Sequence, residues 1–230
     1  MNANKKTEYL YIILSSIFIA SLVSCNLIFQ KFFQIEIWIP FIGSYQFEQS
    51  VGLLAYPITF LVTDIISEVY GENKANQVVT SGLFASLFML IVITVADLIP
   101  MASWSPVDSA TFNQVFGLSG AAVMASMLAY LIAQYIDIRL FHFWKKITNG
   151  RHLWLRNNAS TVFSQFVDTF AVLFLLCSFD VISWDRFYIL LLNGFLFKVF
   201  FAAFDTPIVY GLTYLIRKQF NLSFGEEVVK

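Results

Sequence analysis

Charge is what this sequence has least of. Asp, Glu, Lys and Arg make up 13% of its 230 residues while hydrophobic residues make up 58%, where a soluble domain carries roughly 25% charged residues. So little charge excludes a water-soluble globular domain and leaves an integral membrane protein. A basic surplus is also missing. The formal net charge is −1, and the basic residues are spread among loops instead of gathered on one face, which excludes a direct nucleic-acid footprint. Cysteine is scarce: Cys25 and Cys177 both fall in apolar runs without ligand spacing, so neither a disulfide nor a zinc site is indicated. No GxSxG, HExxH, Walker loop or Gly-rich dinucleotide fingerprint occurs. The chain reads as no enzyme, with no cofactor and no metal.

What is present is a series of apolar runs near the 20 or so residues that a helix needs to cross a bilayer. They cover about 9–29, 51–70, 76–96, 119–143, 157–179 and 187–216. The expectation is an all-α membrane protein with six transmembrane helices, forming a single polytopic domain over 1–230. Lys5 and Lys6, Lys74, the run Arg139, Lys145, Lys146, Arg151 and Arg156, and Arg217 with Lys218 then fall on one side. That side is cytoplasmic, and both termini with it. The stretch from Asp97 to Gly117 holds no Lys or Arg and belongs outside; of the basic residues only Lys31, Arg186 and Lys198 depart from the pattern. Gln30 to Ser50, with Glu36, Trp38, Pro40, Gly43 and Tyr45, reads as an extracytoplasmic hairpin with aromatic anchors. The abundant Phe suits a lipid-facing surface, and the small residues of the third span, Ser81-Gly82 and Ala85-Ser86, pack within the monomer or between protomers.

Polar residues inside these spans carry the functional signal. Tyr56 to Gly71 reads YPITFLVTDIISEVYG and places Asp64 and Glu68 one helical turn apart on one face. Burying each carboxylate in hydrocarbon costs about 2.5–3.5 kcal/mol on insertion scales, so a partner, water or ligand is expected. Pro57 predicts a kink or break beside Thr59 and Thr63. Gln134 with Asp137, and Gln165 with Asp168, repeat one pattern on successive spans. Asp168 lies twelve residues beyond Arg156, about 18 Å along a helix and so near mid-bilayer. Lys198 and Asp205 share a face of the last span; Lys198 either makes a structural ion pair with another helix or counters Asp64, Asp168 or the substrate. Asn26 is the first polar group of the membrane region. Arg156 is either a cytoplasmic anchor or a substrate contact, and Asn157 either caps its helix or contacts the ligand. Together these carboxylates and amides suit a neutral, donor-rich heterocycle, because a carboxylate accepts adjacent N–H bonds while amides read a carbonyl and a ring nitrogen. The same acids are suited to carrying protons.

The run YPITFLVTDIISEVYG, then Lys74-Ala75, then RNNASTVFSQFVDT, then Lys198 followed by Asp205-Thr206-Pro207 closely resemble the queuosine precursor transporter family, also known as vitamin uptake transporters. The resemblance runs from the first span to the sixth. It implies a fold similar to the substrate-binding S-components of energy-coupling-factor importers. It further implies uptake of 7-cyano-7-deazaguanine or 7-aminomethyl-7-deazaguanine across the bacterial inner membrane, for salvage into the queuosine of tRNA. The expected partners are that small deazapurine and the lipid bilayer, with either a second copy of the chain or an energising subunit. The alternative is a capture subunit of an ATP-driven importer for another vitamin or nucleobase-like cargo. The expected substrate-binding residues are Asn26, Asp64, Glu68, Gln134, Asp137, Arg156, Asn157, Gln165, Asp168, Lys198 and Asp205.

Overall fold

The computed structural model describes residues 3–40, 43–117, 120–223 and 226–228. Its elements, in order, are α1 (Ala3–Ile28), a β-hairpin of β1 (Phe32–Ile39) and β2 (Gly43–Ser50), α2 (Tyr56–Val69), α3 (Glu72–Leu98), α4 (Ser109–Phe116), α5 (Gly120–Ile147), α6 (Leu153–Ser178) and α7 (Phe187–Phe220). Among the described residues five stretches are long and apolar enough to cross a membrane: Lys5–Ile28, Val51–Val69, Glu72–Leu98, Leu153–Ser178 and Trp184–Phe220. With its apolar surface, the chain is a multi-pass, mostly helical membrane protein. The expected fourth span corresponds to α5, which is 28 residues long. Its expected start at Ser119, and the chain ends whose side of the membrane the charge pattern assigns, lie outside the described residues.

Two expectations change in detail. The hairpin expected between Gln30 and Ser50 is a two-stranded antiparallel sheet, in register from Phe32 opposite Ser50 to Ile39 opposite Gly43. Its β-branched and aromatic residues favour a pleated strand over a helix. Pro57 does not kink a continuous helix. A short 3₁₀ turn over Val51–Leu54 comes first, the chain breaks at Ala55, and α2 starts at Tyr56 with the proline in its opening positions. There its missing N–H costs nothing and its fixed φ suits the helix. The α-helical part is 14 residues, about 21 Å, and the four-residue 3₁₀ turn adds about 8 Å, so the stretch Val51–Val69 is long enough for a core about 30 Å thick.

α2 is the central element. From Thr59 to Val69 all residues but Leu61 are buried, because α1, α3, α5 and α7 surround it. Its apolar face meets Phe18 and Leu22 of α1, Val78 and Val79 of α3 and Ile138 of α5. Of the small residues of α3, Gly82 and Ser86 pack inside the chain, where a Cβ on Gly82 would stand 2.6 Å from the Phe18 ring and 2.9 Å from Leu22, while Ser81 is exposed. α6 packs between α5 and α7. Outward, Phe163, Phe166, Phe170 and Phe174 of α6 and Phe200 and Phe204 of α7 are exposed, as a lipid-facing surface requires.

The hairpin is bolted to the start of α7. The Tyr45 hydroxyl donates to Asn193 Oδ1 (2.5 Å), the Asn193 amide to the Glu48 carbonyl (3.0 Å), and the Gln49 amide to the Leu190 carbonyl (3.2 Å). In the long loop beyond α3, Asp108 caps α4 by accepting from the Thr111 N–H at 2.6 Å. That backbone bond holds the Asp108 carboxyl below the usual carboxylate range. At the opposite end, Gly71 links α2 to α3 at φ 84°, ψ 173°. This region is open essentially to glycine alone, at about 1–3 kcal/mol for another residue. Gly71→Ala is therefore expected to lower unfolding stability in detergent by about 1–3 kcal/mol. Gly211→Ala, within α7 and with nothing within 4 Å of the added Cβ, is expected to be neutral or to stabilise by about 0.5–1 kcal/mol. Thermal or denaturant unfolding followed by circular dichroism checks both.

Candidate functional site

The polar residues of the spans share faces because they recur at three- and four-residue spacing. On α6 the buried face carries Arg156, Asn157, Ser160, Thr161, Ser164, Gln165, Asp168 and Thr169. α2 contributes Tyr56, Thr59, Thr63, Asp64 and Glu68, α5 contributes Tyr130, Gln134 and Asp137, and α7 contributes Asn193, Lys198 and Asp205. These faces converge on one axis and form levels along it.

Nearest the hairpin is a cavity of about 170 Å³. A single water needs about 10–15 Å³ on this measure, so the space is on the scale of an organic ligand. Apolar side chains make most of its wall, and Asn26, Gln49, Ser50, Ser86, Tyr56, Tyr130, Asp168 and Lys198 supply polar groups. Asn26 donates to Ser86 Oγ at 3.2 Å, joining α1 to α3.

The floor of this cavity is an ion pair. Lys198 Nζ stands 2.5 Å from Asp168 Oδ2 and 4.2 Å from the centre of the Tyr56 ring, and the Tyr56 hydroxyl donates to the same Oδ2. All of this is buried, with 7% of the Lys198 and 2% of the Asp168 side chain exposed. Asp168 Oδ1 has no protein partner. Tyr130 sits edge-on to Tyr56, with ring centres 5.6 Å apart, and its hydroxyl accepts from Gln134 Nε2 at 2.7 Å.

Beyond this floor lies a second cavity of about 10 Å³, which shares Tyr56 and Lys198 with the first and adds Thr161, Gln165 and Asp205. Deeper still are Asp64 and Asp137, both at most 1% exposed. Asp137 Oδ1 accepts from Ser164 at 2.8 Å, while its Oδ2 and Asp64 Oδ2 have no hydrogen-bond partner. Asn157 is buried beside Thr206, its amide 3.4 Å from the hydroxyl.

The far end is an ion cluster. Glu68 Oε2 lies 2.5 Å from Arg156 Nη2 and 3.9 Å from Lys145, and Oε1 accepts from Arg217 Nη2. Arg156 also donates to the Gly150 carbonyl at 2.8 Å and lies over the Phe141 ring. Lys145 reaches Glu227 at 3.0 Å, and the Val228 N–H donates to the Val69 carbonyl at 2.8 Å. The last described residues thus close this end.

The structure therefore sorts the sequence candidates. Asn26, Asp168 and Lys198 line the larger cavity, and Gln165 and Asp205 join Lys198 around the smaller. Gln134 reaches the larger through Tyr130. Asp64, Asp137 and Asn157 lie buried behind. Glu68 and Arg156 line neither cavity and hold each other. Sequence reasoning missed Tyr56 and Tyr130 as hydrogen-bonding members, Gln49 as a wall residue, and Arg217 and Lys145 as partners of Glu68. Tyr130 lies one turn before Gln134, a spacing that could have flagged it; Gln49 lies outside any span and gave no signal.

The sequence profile of a family described as "Putative vitamin uptake transporter" matches residues 50–212. The chain is 28% identical over 171 residues, 73% of its length and 72% of the relative's, to a Bacillus subtilis (strain 168) protein named "Probable queuosine precursor transporter". It is 28% identical over 129 residues (56% and 55%) to the "Queuosine precursor transporter" of Escherichia coli (strain K12). It is 26% identical over 213 residues (89% and 87%) to a Haemophilus influenzae (strain Rd) protein named like the first. No solved structure matches the chain.

Glu68 is held by three cations, so its loss removes the carboxylate that meets the fully buried Arg156. Breaking one side of a buried pair costs about 3–5 kcal/mol. Glu68→Gln is expected to lower unfolding stability in detergent by that amount. Arg139→Gln, at an exposed position, is expected to change it by less than about 0.5 kcal/mol.

Proposed function

Because the chain belongs to the vitamin uptake transporter family, we propose that it carries a queuosine precursor, 7-cyano-7-deazaguanine or 7-aminomethyl-7-deazaguanine, into the cell across the bacterial inner membrane. The names of its relatives support that cargo. In this reading the chain is one domain that crosses the bilayer six times, with both termini cytoplasmic and an S-component-like arrangement. It works as a transporter and not as an enzyme.

One observation carries the reading. Asp168, which lines the ligand-sized cavity, spends Oδ2 on Tyr56 and Lys198 and leaves its buried Oδ1 without a partner. A buried, unpaired carboxylate oxygen is costly unless something donates to it. A deazaguanine offers a ring N–H and an exocyclic amine side by side, and Oδ1 has two lone pairs to receive them. Lys198 and Asn26 supply donors for the base carbonyl, and Tyr56 and Tyr130 supply aromatic surface for the ring. The pair is neutral in sum, which matches the uncharged 7-cyano base better than the 7-aminomethyl base, whose amine is a cation at neutral pH.

Saturable binding of 7-cyano-7-deazaguanine to the purified protein, measured by calorimetry with guanine as competitor, tests this. No binding by demonstrably folded protein overturns it. A hydrogen bond to a charged group is worth about 1.5–3 kcal/mol, so Asp168→Asn is expected to weaken binding roughly 10- to 150-fold. Asp108→Asn, in the outer loop, is expected to leave it unchanged. Reconstitution of the chain alone separates a self-sufficient transporter, which accumulates substrate, from a capture subunit, which only binds it.

A further inference from the structure

The smaller cavity has a size and a lining that define its occupant. About 10 Å³ is room for one water and nothing larger. Four side-chain atoms of its lining residues are buried without a partner: Thr161 Oγ1, Gln165 Oε1 and Nε2, and Asp205 Oδ1. Gln165 is 1% and Asp205 6% exposed. A buried water is held by two to four polar groups, and this set meets that requirement.

The charges around the cavity do not balance in the same way. Lys198 goes to Asp168, and Arg156 and Arg217 go to Glu68. Around Asp205 are Tyr56 and Asp64 from α2, Asp137 from α5, Asn157, which hydrogen-bonds it, from α6, and Lys198 across the cavity on its own helix. Among the described residues Asp64, Asp137 and Asp205 have no ion pair. Three carboxylates without a counter-cation at membrane depth do not all stay ionised; a proton is the least costly way to remove a charge there.

We propose that Asp205 is the proton-coupling acid of this transporter and that a water in the smaller cavity links it to the Lys198–Asp168 pair. The coupling rests on the substrate reading above; the proton site does not. With Asp205 neutral, Lys198 has one anion to hold and stays on Asp168, which leaves Oδ1 facing no competitor, the arrangement seen here. With Asp205 ionised, Lys198 is shared across the water and the binding geometry loosens. Substrate and proton therefore bind together. On uptake, the water donates a proton to the Asp205 carboxylate, an O–H bond forms there, and the water regains its proton from solvent; release runs the same steps backwards. No other bond changes.

Two measurements test this, one without substrate. In infrared difference spectra of substrate-free protein at neutral pH, a protonated-carboxyl stretch is expected that loses a component in Asp205→Asn. In Thr161→Val/Gln165→Leu, which keeps the acid but removes partners of the water, that component is expected to move to higher wavenumber. Folded wild-type protein without such a band, or a band unchanged in both variants, overturns the proposal. In calorimetric binding of 7-cyano-7-deazaguanine in buffers of different ionisation enthalpy, at a pH high enough for the substrate-free protein to have lost the Asp205 band, up to one proton is expected to be taken up per substrate. Affinity is expected to fall as pH rises, by up to tenfold per unit, and Asp205→Asn is expected to bind without proton uptake. Binding with no linked proton in wild type overturns the coupling. If the base does not bind while the Asp205 band is present, the substrate reading fails and the proton site stands.

Discussion

An ionisable side chain at membrane depth has to meet a cation, an anion, a proton or a ligand, and in this chain the partner comes from a different helix almost every time. Glu68 of α2 is met by Lys145 of α5, Arg156 of α6 and Arg217 of α7. Asp168 of α6 is met by Tyr56 of α2 and Lys198 of α7. Apolar helices in lipid gain little by touching one another, since the tails are as apolar as leucine, so close packing and polar contacts carry the association. Two acidic residues thus tie four helices together at two heights. The apolar contacts around Phe18, Gly82, Ile65 and Ile138 fill the space between ties that the charges have set.

The two ends of the axis differ for the same reason. At the hairpin end the polar groups are sparse and mostly uncharged, and a cavity remains. At the basic end, three cations and the Glu227 and Val228 contacts fill the axis, and the space of about 430 Å³ beside Arg139, Lys145 and Lys146 is open to the surface. For a transporter this is an arrangement with one end closed by charge. Whatever parts that end must keep Glu68 paired while it moves, because a lone buried carboxylate costs more than the whole cluster did. Three of the basic residues by which the sequence assigns a side, Lys145, Arg156 and Arg217, are the ones that meet Glu68 there.

How far the sequence could be read follows from which forces are local. Spans were legible because lipid demands unbroken apolar runs, and the runs at 9–29, 76–96, 157–179 and 187–216 differ from α1, α3, α6 and α7 mainly at their ends. Pro57 was legible as a disturbance but not as a helix start, because the same residue does both and only the 3₁₀ turn before it decides. The acids were legible as buried and costly. Which of them a ligand meets was not, since Asp64 and Glu68 stand one turn apart and only their partners, up to 149 residues away, tell them apart. The Gln134/Asp137 and Gln165/Asp168 repeat misled in the same manner: consecutive helices run antiparallel, so Asp137 faces Ser164 while its counterpart faces Lys198.

The distinction between Glu68 and Asp168 comes down to how many donors each receives. Glu68 has cations beside both oxygens and lines neither cavity. Asp168 has one ammonium and one phenol on a single oxygen, and the phenol matters because it fills an acceptor site without adding charge. A second cation in place of Tyr56 would leave the floor positive and select an anion. With Tyr56 there, the floor is neutral yet still has an unpaired oxygen, so it discriminates by hydrogen-bond donors and not by charge. On the function proposed above, such a site suits an uncharged base and leaves net charge to be handled one level down, where Asp205, Asp137 and Asp64 make no ion pair among the described residues.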